Sequence, residues 1–158
     1  MKNLKIYYID EKYINYLRKY DKNVAYNKDT TRPYIGIVYT YNHFNYFAPL
    51  SSPKLKHKKI NEKAIDIFKI KGGELGVINI NNMIPTPIEE LTEALPIIKD
   101  IKYKKMLEEQ LTYINNHKQE LLKKIILFQN MYRKGHLNNR ILERCCDFKL
   151  LEELCKKY

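Results

Sequence analysis

Two runs, Tyr34-Ile35-Gly36-Ile37-Val38-Tyr39-Thr40-Tyr41 and Tyr46-Phe47-Ala48-Pro49-Leu50, are separated only by Asn42 to Asn45, and this pairing constrains the fold more than any other stretch. Both are rich in β-branched and aromatic residues, which suit a pleated, half-buried surface. The polar segment between them reads as a turn, so the two runs are expected to form a β-hairpin. A lone hairpin is marginal in water and must find further strands or helices to cover its apolar face.

The rest of the chain supplies them. Leu4-Lys5-Ile6-Tyr7-Tyr8-Ile9 reads as a first strand, and Asp10 can cap a helix whose stripe is Tyr13, Ile14, Leu17 and Tyr20. Residues 21–32 lack periodicity and form a loop. Ile65 to Ile70 and Leu75 to Ile80 alternate as strands around a Gly72-Gly73 turn, while Pro85 and Pro87 keep Met83 to Ile88 extended. From about Lys102 the spacing becomes helical, with Leu107, Leu111, Ile114, Leu121, Leu122, Ile125 and Phe128 on one face, in one helix or two, ending near Gly135. Asp147 can cap a last helix, Phe148 to Lys156. The expected class is α+β: a compact, strongly curved antiparallel sheet or partly open barrel wrapped by helices, with a long C-terminal helical segment.

A chain of 158 residues suits one domain, residues 1–158. Lys and Arg number 29 against 18 Asp and Glu, a net charge of +11 that points to a polyanion partner. Part of the lysine and tyrosine excess also fits AT-rich codon usage, but that drift does not set the sign of the charge. No apolar run approaches the ~18 residues of a spanning helix, and Met1-Lys2-Asn3-Leu4-Lys5 opens no signal peptide, so a cytoplasmic protein without membrane contact is expected. Cys145, Cys146 and Cys155 lack metal-ligand spacing and read as reduced core thiols. His43, His117 and His136 are scattered.

Chemistry concentrates in one turn. Ser51-Ser52-Pro53-Lys54 and the nearby His57 place two hydroxyls, an ammonium and an imidazole directly after the second hairpin strand. RNA carries its own nucleophile, the 2′-hydroxyl, so cleavage without a metal asks only for proton transfer and for donors that hold the charge of a five-coordinate phosphorus. No paired carboxylates suggest a two-metal nuclease. If the hairpin pairs as expected, Arg32 before its first strand and Ser51 after its second fall at the same end. A non-catalytic RNA-binding module with the same basic groove is the alternative.

Across nearly the whole chain the sequence resembles the ToxN/AbiQ family of endoribonuclease toxins from type III toxin–antitoxin systems. The resemblance is carried by Ile6-Tyr7-Tyr8-Ile9, Lys12-Tyr13-Ile14-Asn15-Tyr16-Leu17, Tyr34-Ile35-Gly36-Ile37-Val38 and Phe47-Ala48-Pro49-Leu50-Ser51-Ser52-Pro53-Lys54. It continues through Leu75-Gly76-Val77-Ile78-Asn79, Met83-Ile84-Pro85, Tyr103-Lys104-Lys105-Met106-Leu107 and Asp147-Phe148-Lys149-Leu150-Leu151-Glu152-Glu153.

The resemblance implies a fold related to the MazF/Kid toxins and metal-independent cleavage, usually of A-rich RNA, leaving a 2′,3′-cyclic phosphate and a 5′-hydroxyl. It also implies inhibition by a small repeat RNA antitoxin, a pseudoknot that the toxin cuts from its precursor and holds in a closed protein–RNA assembly, often in phage defence. No cofactor is expected. The catalytic set it implies is Ser51, Ser52, Lys54 and Arg32, the last where relatives can carry Lys, with His57 or Lys54 moving the proton. Lys56, Lys58, Lys59 and Lys63 form either a solvated loop or an RNA-backbone track, and Tyr34 is expected among the RNA contacts.

Overall fold

The computed structural model describes residues 2–158. The hairpin forms: β2 (Tyr34–Tyr41) and β3 (Phe44–Ser51) run antiparallel, with Tyr34 opposite Pro49 and Tyr41 opposite Phe44. β3 begins at Phe44 rather than Tyr46 because only Asn42 and His43 make the turn, both at positive φ (48° and 70°). A two-residue turn needs that backbone to follow the twist of its strands, and Asn adopts it readily.

β1 (Lys5–Ile9) pairs with β2 on one edge and with β7 (Leu91–Glu93) on the other. The second edge of β3 is shared. Tyr46 and Phe47 face β6 (Ile84–Pro85), whereas Leu50 and Ser51 face β5 (Val77–Asn79), which β4 (Ile67–Lys69) flanks. The seven strands are antiparallel in the order β4-β5-β3-β2-β1-β7, with β6 beside β3, and the sheet does not close. β4 and β5 are shorter than their alternating runs because 3₁₀ turns at Ile70–Gly73 and Ile80–Asn82 take over their ends.

α1 (Glu11–Arg18) starts at Asp10, whose carboxylate accepts the Lys12 N–H at 2.9 Å. Tyr13, Ile14 and Leu17 are buried, but Tyr20 lies past the helix end and stands exposed. The basic stretch after the Ser-Ser-Pro-Lys turn contains a single helical turn, α2 (Leu55–Lys58). The long helical segment is two helices, α3 (Ile101–Asn116) and α4 (Lys118–Arg133), broken at His117. Leu107, Ile114, Leu121, Ile125 and Phe128 are fully buried.

A short α5 (Asn139–Arg144) leads into α6 (Phe148–Lys157), capped by Asp147 and driving Phe148 and Leu151 into the core. There Glu152 accepts from the Tyr46 hydroxyl and pairs with Arg133 at 2.8 Å, tying α6 to β3 and α4. Among the described residues no helix is long and apolar enough to cross a membrane.

Candidate nucleic-acid cleft

The β2–β3 register places the entry to the first strand beside the exit from the second. Leu50 N–H donates to Pro33 O at 2.9 Å, and the Arg32 guanidinium donates to Leu50 O at 3.4 Å and Tyr26 O at 3.2 Å. The shared end inferred from the hairpin is therefore real, and Arg32 is fixed to it by backbone carbonyls. Ser51 ends β3 opposite Val77, and its Oγ accepts from the Asn79 amide at 2.9 Å. That bond occupies a lone pair and leaves the hydroxyl proton free to donate. Behind Ser51, Gly76 sits at φ +97°, where an added Cβ would lie 2.0 Å from Ser51 O. Only glycine lets β5 come so close.

A cleft of 620 Å³ opens over this end. Ser51, Ser52 and Lys54 line it from the end of β3, and Lys28, Thr31 and Arg32 from the preceding loop; Ile97, Ile98, Lys99, Asp100 and Tyr103 come from the approach to α3. Tyr8, Pro33 and Leu50 complete the lining. Lys28, Arg32, Lys54 and Lys99 bring positive charge. The lining carboxylate, Asp100, caps α3 by accepting the Tyr103 N–H at 3.1 Å.

Four of the residues singled out from sequence thus share one wall: Arg32, Ser51, Ser52 and Lys54. His57 does not join them. It is 2 % exposed and folds back beneath α2, where Nδ1 accepts the Lys54 N–H at 3.2 Å. Burial, and then the charges of Lys54 and Lys56, hold its pKa below the usual histidine value. An imidazole at the third position of a one-turn helix meets its own N-terminus before it meets a substrate, so His57 shapes the turn rather than reaching the cleft.

Tyr34 is also displaced from its expected role. At the start of β2, where Tyr34, Ile35 and Gly36 are all buried, it is fully covered, its hydroxyl has no partner among the described residues, and burial pushes its pKa well above the usual phenol range. A ring so placed cannot stack on a base. Lys56, Lys58, Lys59 and Lys63 are exposed and lie outside the cleft lining, on the basic surface of α2 and the segment after it. Lys69 secures that surface from below, donating to Lys58 O and Ile60 O and pairing with Glu62 at 3.2 Å.

Sequence reasoning missed Lys28, Thr31, Lys99, Tyr103 and the supporting Asn79. The loop holding Lys28 is built on Asn27, 1 % exposed, whose amide donates to Ile9 O at 2.9 Å and to the Glu11 carboxylate at 2.7 Å. Glu11 also accepts the Thr30 N–H at 3.0 Å, and Asn27 O takes the N–H groups of Thr31 and Arg32. Lys28, Asp29 and Thr30 all adopt positive φ, between 50° and 63°. The nearby Arg32 charge, then burial and Lys54, pull the Lys28 pKa below the ordinary lysine value. Burial raises that of Tyr103. The Asn, Asp and Thr content marks an irregular loop, but nothing local tells which lysine lines the cleft.

Hydroxyl donors and cations converging on an open groove beside a sheet suit a phosphodiester chain, and define the class as an α+β protein with a cationic, hydroxyl-lined groove. Its family follows from comparison with known proteins. The model of the family described as toxin ToxN, type III toxin–antitoxin system, matches residues 5–156, and the chain belongs to that family. Endoribonuclease ToxN of Pectobacterium atrosepticum is 33 % identical over 161 residues, covering 95 % of this chain and 91 % of that protein. Endoribonuclease AbiQ of Lactococcus lactis subsp. lactis is 33 % identical over 170 residues, covering 98 % and 89 %.

The solved structure of AbiQ, described as a lactococcal anti-phage endoribonuclease of the type III system, superposes with a TM-score of 0.83 at 30 % identity, covering 99 % of this chain and 98 % of that one. A structure described as showing selective toxin inhibition by a non-coding RNA pseudoknot gives 0.79 at 28 % identity, covering 99 % and 98 %. The cysteines are free, Cys145 and Cys146 buried, and burial raises the Cys145 thiol to about 12. Among the described residues no three of His, Cys, Asp and Glu gather as a metal site would require.

Proposed function

We propose that this chain is a cytoplasmic endoribonuclease toxin that cuts RNA by attack of the 2′-hydroxyl, without a metal ion, leaving a 2′,3′-cyclic phosphate and a 5′-hydroxyl. The observation that carries the reading is the joint placement of Arg32, Ser51, Ser52 and Lys54 on one cleft wall. Ser52 donates to a non-bridging phosphate oxygen, and Ser51, oriented by Asn79, holds the ribose side. Arg32 and Lys54 stabilise the charge that grows on phosphorus. A guanidinium forks across two oxygens and keeps its protons, so Arg32 acts as a charge stabiliser.

The same reading extends to partners. The substrate is A-rich single-stranded RNA. The inhibitor is a small repeat RNA pseudoknot, cut from its precursor by the toxin and held with it in a closed assembly, and the system serves phage defence. Lys56, Lys58, Lys59 and Lys63 contact RNA backbone beyond the cleft. The reading treats residues 1–158 as one domain, kin to the MazF/Kid toxins with a curved, partly open sheet, on the strength of its antiparallel pairing and covering helices. Purified protein should cut A-rich RNA in EDTA and spare a substrate whose scissile nucleotide lacks the 2′-hydroxyl. Ser52→Ala should lose about 10²-fold in rate, the usual cost of removing one preorganised donor. Retention of both RNAs unchanged would make the chain a binding module, and cleavage of the deoxy strand would refute the mechanism.

A further inference from the structure

We infer that Lys28 is the catalytic base that removes the 2′-hydroxyl proton in the cleft, an assignment that rests on the ribonuclease reading above. Lys28 shares the cleft lining with Ser51, Ser52, Arg32 and Lys54, on a loop that Asn27 and Glu11 pin to β1 and α1. Of the other amines lining it, Lys54 is already given to the charge on phosphorus and Lys99 comes from the approach to α3; the groups that remain are poorly suited to taking a proton. Arg32 stays charged. The phenols of Tyr8 and Tyr103 are raised by burial, and Asp100 holds the end of α3. His57 is turned away beneath α2, its Nδ1 already accepting.

Arg32 and Lys54 make a positive charge on Lys28 unfavourable in the empty cleft, which enriches the neutral amine. The same arrangement changes sign during reaction. As negative charge builds on phosphorus, an ammonium beside it becomes favourable, so the base strengthens toward the transition state. In the step, the 2′-oxygen gives its proton to Lys28 Nζ and bonds to phosphorus. The bond from phosphorus to the 5′-oxygen breaks, and that oxygen takes a proton from water at the cleft mouth. The hydroxide so formed recovers the proton from Lys28.

The test compares pH–rate profiles of the full chain and of Lys28→Arg, Lys54→Arg and Asp100→Asn, on a short A-rich RNA in EDTA. Each variant keeps the charge or the cap of the residue replaced, and folding and binding are checked by circular dichroism and by anisotropy with the 2′-deoxy analogue. Wild-type rate should rise tenfold per pH unit on the acid side. Lys28→Arg should bind normally, lose at least ~10²-fold in kcat and lose that limb, while Lys54→Arg and Asp100→Asn retain it. A wild-type profile in Lys28→Arg, or loss of the limb in Asp100→Asn instead, overturns the assignment. So does rescue of Lys28→Arg by a 5′-thio leaving group, which needs no proton and would put Lys28 at the other oxygen. Intact RNA with the wild-type chain defeats the ribonuclease reading itself, a result distinct from all of these.

Discussion

Tyr34 and His57 show how burial decides what a chemically capable side chain does. A buried hydroxyl without a partner keeps the cost of desolvation and gains no bond, so deleting it is neutral or favourable. Tyr34→Phe should therefore leave the urea midpoint unchanged or raise stability by up to about 1 kcal/mol, with RNA binding and cleavage intact. A loss of RNA affinity would return Tyr34 to the binding surface. His57 makes stability depend on pH. Its folded pKa lies below the ordinary 6.5, so on acidification the unfolded chain takes up this proton first, and stability present above 6.5 is lost below it. Between about pH 7.5 and 5.5, before most carboxylates titrate, the urea midpoint should fall. The fall should be smaller in His57→Gln, which has no proton to gain.

The elements most readable in the sequence were those whose signals are local. Asp10 and Asp147 cap the helices they were expected to cap, the Tyr34–Tyr41 strand has its expected bounds, and the 3.6-residue stripe from Leu107 to Phe128 faces the core, fully buried except at Leu111 and Leu122, which are half-buried against it. β7 and α5 escaped notice because each is short and supported from outside, β7 by pairing with β1 and α5 by the Arg144–Asp66 ion pair and the Asn82 amide on Arg144 O. For the cleft, the hairpin argument brought Arg32 to Ser51, because pairing register is a local inference. Lys28 and Tyr103 arrive through tertiary packing, which no local pattern encodes.

Gly76 is a further case, a lone glycine whose need appears only when β5 lies against Ser51. Gly76→Ala meets both a backbone clash and an unfavourable φ. It should cost more than about 1 kcal/mol in denaturant unfolding and slow cleavage further by shifting the Ser51 turn. Full activity in a folded Gly76→Ala chain would show that the turn tolerates displacement.

Over the whole molecule, the net charge of +11 sets how RNA should be held on the ribonuclease reading. With about six phosphates neutralised, log affinity should fall with log salt at a slope near −4, from about 0.7 per single-strand contact. Replacing Lys56 and Lys59 together by Ala should flatten the slope by roughly one unit while changing cleavage of a short substrate less. An unchanged slope would mean this exposed surface faces solvent in the complex, and that the long-helix lysines carry the contact.

The bond from Tyr46 in β3 to Glu152 in α6, with Phe148 and Leu151 filling the core beside it, also bears on timing. β3 ends in the cleft wall, yet the side chains that seal it follow about a hundred residues later. During translation the cleft segments leave the ribosome well before α6 does, and until α6 emerges the strand leading to the two serines lacks its backing. On the ribonuclease reading, a nascent toxin stays inert until α6 has emerged, long after its serines have left the ribosome.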